Sequence, residues 1–129
     1  MKKIVLSFDD ARLDFYIRAY PLLLKYNMSA TLNVTSGFVL SPNKFSFTSA
    51  NNQPMTIQQV KECFDNGIEI ACHGSNHNNT KEDLLQNIAE LKEMGIDTNN
   101  IGFASPHSHL TIENKNNDGI WDLVDYGTI

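Results

Sequence analysis

The hydrophobic and polar positions alternate between two periods along the chain. Residues 3–8 (KIVLSF) read as a buried strand, and Leu13 to Tyr26 as a helix interrupted by Pro21, which predicts a kink or a helix start near that residue. Residues 29–35 (SATLNVT), rich in Thr and Val, predict a second strand. Residues 36–55 form a long polar stretch, expected to be a loop with a short strand at Phe45 to Thr48. Thr56 and Gln59 make a capping box ahead of the next helix, and Gly67 stops it. Residues 68–72 (IEIAC) predict a third strand. Thr80 and Asp83 resemble a second capping box, before a helix with Leu84, Ile88 and Leu91 on one face and Gly95 as its stop. Residues 100–104 predict a fourth strand, and a last helix is expected from about Asn117 to Tyr126.

This β-α-β-α order predicts one α/β domain over residues 1–129, with a parallel sheet and helices packed outside it. Ligands of such folds bind at the carboxyl ends of the strands. Three polar clusters then share one rim: Asp9 and Asp10 after the first strand, His73 to His77 after the third, and Ser105 to His109 after the fourth.

Composition narrows the function classes. The 129 residues are 41% hydrophobic and 19% charged, as in a globular domain, and the net charge of −5 with scattered Lys and Arg argues against nucleic acid or an anionic membrane as partner. The opening MKKIVLSFDD has too short an apolar run for a signal peptide, which needs about 7 to 15 such residues. No run approaches the roughly 18 apolar residues of a membrane span, so the chain as given is expected in the cytoplasm. Cys63 and Cys72 read as free, buried core residues.

One carboxylate and two imidazoles with an open coordination position are what a hydrolytic metal site needs, and a second carboxylate can serve as general base. Asp9 and Asp10 fit these two jobs, while His73 and His77 supply the imidazoles. Each cluster also has a bland reading: the aspartates as a helix N-cap pair, the HxxxH spacing as coincidence, His107 and His109 as solvated loop histidines. Two His and one carboxylate would equally suit a non-haem iron oxygenase, against which the parallel strand-helix order argues.

The sequence resembles the NodB-homology polysaccharide deacetylases, carbohydrate esterase family 4, over nearly its whole length. "VLSFDDA" resembles the family's first motif (TFDDG), "SATLNVTSGFV" the strand ATFFV, "GIEIACHGSNH" the second motif, and "IGFASPHS" the third (FRPPYG). The resemblance implies an incomplete (β/α) barrel. It implies Asp9 as general base and Asp10, His73 and His77 as ligands of a divalent metal, usually zinc, with cobalt or another ion as alternatives. Ser105, Pro106 and His107 would form the substrate loop, with the His107 N–H and the metal stabilising an oxyanion. The implied reaction removes acetyl groups from N-acetylglucosamine-type carbohydrate.

There are departures. Ala11 stands where Gly is usual, Ala104 replaces the arginine that orients the base, and Ser105 and His107 replace a proline and an aromatic residue. Trp121 and Asp122 look like part of a helix after the third motif, not like the fourth motif, and the fifth motif with its acid histidine is absent. The chain is therefore expected to stop about two or three strands short of the family's barrel. An exposed sheet edge would then invite a homodimer. The alternative function is a truncated, catalytically silent metal- and carbohydrate-binding remnant.

Overall fold

A computed structural model of the chain describes residues 2–108 and 117–128. Five parallel strands, β1 (Ser7–Asp9), β2 (Thr31–Val34), β3 (Glu69–Cys72), β4 (Gly102–Ala104) and β5 (Tyr126–Thr128), line up in sequence order. The sheet is a curled half-barrel with helices outside, the incomplete (β/α) barrel that the alternating periods imply. The helices are α1 (Tyr20–Lys25), α2 (Ser36–Leu40), α3 (Ile57–Asp65) and α4 (Lys81–Glu93). The core lies between sheet and helices, built from Leu32, Val34, Val60, Leu84, Leu91 and Phe103 among others.

The local signals that carry a specific hydrogen-bond pattern hold. Thr56 and Gln59 form the reciprocal capping box of α3. Gly67 and Gly95, at φ +91° and +87°, end α3 and α4 in the same way: each donates to the carbonyl three residues back, and the following Ile68 or Ile96 donates to the one five back. Thr80 caps α4 through the Asp83 N–H, but the Asp83 carboxylate does not reach back to the cap. It is used elsewhere.

Three expectations are corrected and one is met. The strand over 3–8 is reduced to Ser7–Asp9, because residues before it lie on the sheet's outer edge with Ile4 85% and Val5 83% exposed. The helix start near Pro21 is met: residues 13–25 are helical, and α1 begins at Tyr20 with Pro21 in its first turn, after a π-helical turn at Phe15–Ala19. The 36–55 stretch holds α2 and two 3-10 turns, Pro42–Lys44 and Ala50–Asn52, with no strand at Phe45 to Thr48. Asn117–Leu123 is a 3-10 helix that gives way to β5, so the expected helix to Tyr126 becomes a strand at its end. β5 depends on glycine: a Cβ at Gly102 or Gly127 would overlap the rings of Tyr126 or Trp121. Among the described residues no helix is long and apolar enough to cross a membrane.

Candidate metal centre

The three rim clusters converge. After β1 the chain turns through two successive left-handed residues, Asp10 (φ 74°) and Ala11 (φ 56°). That conformation costs a non-glycine residue about 1–2 kcal/mol, and here it separates the two aspartates. Asp9 stays in the strand, in register with Asn33 of β2, and its Oδ1 accepts from Asn33 Nδ2 at 2.8 Å. Asp10 swings toward the loop after β3.

His73 follows β3 directly and is 2% exposed. Its ring Nδ1 lies 2.8 Å from the Ala104 carbonyl at the end of β4. A carbonyl only accepts, so Nδ1 carries the proton and Nε2 of the neutral ring presents a lone pair. His77 is also in the loop, not on a helix, at φ 62°. Its ring stacks on Phe38 at 6.0 Å and meets the His107 ring edge-on at 4.5 Å.

His73 Nε2, His77 Nε2 and Asp10 Oδ1 form a nearly equilateral triangle with edges of 3.1, 3.2 and 3.3 Å. Such edges belong to a tetrahedron whose centre lies about 2.0 Å from each corner, the bond length of zinc to imidazole and carboxylate. Asp10 Oδ1 is buried and receives no well-directed hydrogen bond from any described residue. Three lone-pair donors aimed at one point, one of them anionic and otherwise unsatisfied, fit a divalent cation with a fourth position open. His73 and His77 hold the Asp10 carboxyl well below the usual carboxylate range, outweighing burial. Burial pulls the His73 imidazole down, but the close approach of Asp10 and the bond to the Ala104 carbonyl, with the Asp9 and Asp10 charges, push it up on balance.

Helix α4 holds this loop through three side chains at i, i+4 and i+7. Asp83 accepts from the Asn76 N–H, the Asn76 side chain and the Asn78 N–H. Asn87 accepts from the His73 and Gly74 N–H groups at 3.0 Å each and donates to the Val34 carbonyl and Ser36 Oγ. Glu90 accepts from Ser36 Oγ and Ser75 Oγ. Gly74 (φ +84°) lets the loop pass Asp83, whose carboxylate a Cβ there would meet. On the other side Asn79 grips the β4 loop, accepting from Ser105 Oγ and donating to the Pro106 carbonyl, 2.8 Å each. Ser105 and Pro106 are buried there, and His107 is exposed at φ 58°.

The sequence-read residues Asp9, Asp10, His73, His77, Ser105, Pro106 and His107 thus lie on one rim, while His109 falls outside the described residues. Sequence reasoning missed Asn33, Asn79, Asp83, Asn87 and Glu90. The signal for the last three was a polar stripe at helical spacing beside the apolar face of α4. Cys72 is fully buried beside His73 and points into the core, as expected.

The chain resembles known proteins in sequence and in fold. A Bacillus subtilis (strain 168) protein described as a polysaccharide deacetylase, YxkH, is 32% identical over 76 residues, covering 59% of this chain and 24% of that protein. The Streptococcus pyogenes deacetylase PplD, solved in complex with acetate, is 29% identical with a TM-score of 0.70, over 95% of this chain and 52% of its own. IcaB from Ammonifex degensii, at 21% identity, shares the fold with a TM-score of 0.73, over 93% of this chain and 56% of its own. The chain spans a quarter to about half of these relatives' lengths. The family model described as polysaccharide deacetylase matches residues 1–111, a span that takes in the turn after β1, both histidines and the β4 loop. On that breadth, the chain belongs to the polysaccharide deacetylase family.

Proposed function

We propose that the protein is a metal-dependent hydrolase that removes N-acetyl groups from N-acetylglucosamine-type carbohydrate. The observation that carries this reading is the triangle of Asp10 Oδ1, His73 Nε2 and His77 Nε2, one residue from a second rim carboxylate. Asp10, His73 and His77 would hold the ion, for which zinc is the best fit to two imidazoles and one carboxylate, with cobalt a substitute. When bound, such an ion polarises a carbonyl oxygen and lowers the pKa of a coordinated water.

The remaining steps belong to the chain. Asp9, exposed at the rim and held by Asn33, takes the proton from the attacking water. His73, its tautomer set by the Ala104 carbonyl, keeps its lone pair toward the ion. The loop of Ser105, Pro106 and His107 borders the acyl group, and the His107 N–H donates to the oxyanion. The proton held by Asp9 then passes to the leaving nitrogen as the amide C–N bond breaks, releasing acetate and a free amine. The substitution of Ala104 for the family's arginine favours the second reading, a binding remnant without turnover.

The test pairs metal content with turnover on N-acetylated chitooligosaccharides. The expected result is about one zinc per chain, lost in His77→Ala, and acetate release that chelation abolishes. Asp9→Asn should keep the metal and lose turnover. Metal without turnover supports the remnant, and wild-type zinc affinity in Asp10→Ala refutes the ligand set.

A further inference from the structure

Asn33 is a polar residue in the middle of a buried strand. It is 4% exposed, between Leu32 and Val34, which are fully buried on the opposite face. Strand interiors disfavour asparagine, and packing alone would be served by an apolar side chain. What the amide does is specific. Its Nδ2 group has two hydrogens, and they go to Ser7 Oγ and Asp9 Oδ1, each at 2.8 Å. Ser7 and Asp9 are two apart on β1, so both point to the face that Asn33 shares.

We propose that Asn33 is the positioning residue for the Asp9 carboxylate, the proposed general base. Three features support this. The register pairs Asn33 with Asp9 directly, so the two side chains meet without either strand bending. Ser7 takes the second hydrogen of the amide and thereby fixes its plane, which fixes the direction of the bond to Asp9. The bond occupies Oδ1, and among the described residues Oδ2 accepts no hydrogen bond, so one oxygen is held and the other is available to a proton. The amide is neutral. It aligns the carboxylate through geometry alone and places no charge beside it.

This inference rests on Asp9 being the base, and the experiment separates the two claims. Zinc content, kcat and KM for acetate release from a chitooligosaccharide are measured in wild type, Asn33→Ala, Asp9→Asn and the double variant. Asn33→Leu, similar in volume but unable to donate, stands beside Asn33→Ala in case alanine perturbs folding. The expected result is a kcat lowered about 10- to 100-fold by Asn33→Ala, with KM and zinc unchanged, and no further loss from Asn33→Ala once Asp9 is Asn. A second readout needs no turnover: the side-chain NH2 resonances of Asn33 should shift in Asp9→Asn. Equal losses in both backgrounds, unmoved Asn33 resonances, or loss of zinc in Asn33→Ala would show a structural role and overturn the positioning role alone. A wild type that binds zinc but releases no acetate would overturn both claims.

Discussion

Replacing Asn87 by alanine tests how the candidate metal loop is held. The side chain is fully buried and makes four hydrogen bonds, two accepted and two donated. Three of its partners have a second partner: the His73 N–H also reaches the Val34 carbonyl at 3.2 Å, which serves both groups, and Ser36 Oγ also donates to Glu90. The Gly74 N–H has Asn87 alone among the described residues. Stranding that buried donor costs about 1–3 kcal/mol, and the three shared bonds together about 1–2 kcal/mol more. Alanine returns about 0.5 kcal/mol as the better helix former. The expected destabilisation is therefore about 1.5–4.5 kcal/mol, read in urea unfolding of the metal-free protein as a lower midpoint at unchanged slope. Because the freed N–H groups belong to His73 and its neighbour, zinc affinity should fall about 10- to 100-fold as well. A stability change below about 0.5 kcal/mol, the range of an ordinary surface substitution, would refute the reasoning.

Zinc binding should strengthen as pH rises. The raised pKa of His73 keeps a proton on the metal-free ring above the ordinary value of 6.5, and the metal must displace it; isothermal titration across that window should show proton release that fades at higher pH. The metal-free protein runs the opposite way. His73's contribution to its stability is fully present below the unfolded value and lost as pH rises through the folded one, while the depressed Asp10 contributes above its ordinary 3.8 and is lost only in strong acid. Gly37→Ala should cost about 1–3 kcal/mol and weaken zinc binding, because its Cβ would overlap the backbone carbonyl of Ser75, to which the Gly37 N–H donates at 2.8 Å. Thermal melts with and without zinc would show both effects. Cys63 and Cys72, buried and pushed up to about 12 by burial, should resist thiol reagents until the protein is unfolded; rapid native labelling would contradict their place in the core.

The sheet and its rim were legible because strand and helix periods alternate clearly from residue 29 to 104, and parallel strands bring their carboxyl ends to one side. The edges were not. Lys3 to Leu6 has strand composition, but an outermost strand has no neighbour to pair its outer side. Tyr126–Thr128 pairs as a strand, but three residues centred on a glycine are too few to show a period, and they pack against the glycine of β4. α2 went unseen since no side chain caps it; it is set by the close approach of Gly37 to Ser75, a contact between distant residues. The ligands were visible as residue types at a spacing. Their supports were not, because Asn33, Asp83 and Asn87 act through partners that only the folded chain brings near.

The strictly sequential strand order has a kinetic consequence. Each strand pairs with the one before it in the chain, and every link between them is a crossover, never a hairpin. No pair can therefore form from adjacent residues, and each step must close a long loop before any pairing rewards it, which places such a chain among slower folders than a helical bundle of equal size. Yet no strand waits for one made much later. The longest register, four residue pairs between β2 and β3, lies at the interior of the order and joins the strand of Asn33 to the strand that His73 follows. Growth outward from that pair would bring Asp10 in with β1 and the Ala104 carbonyl with β4. The donor triangle then needs β1, the His73 tautomer needs β4, and the site is finished only when strands have been added on both sides.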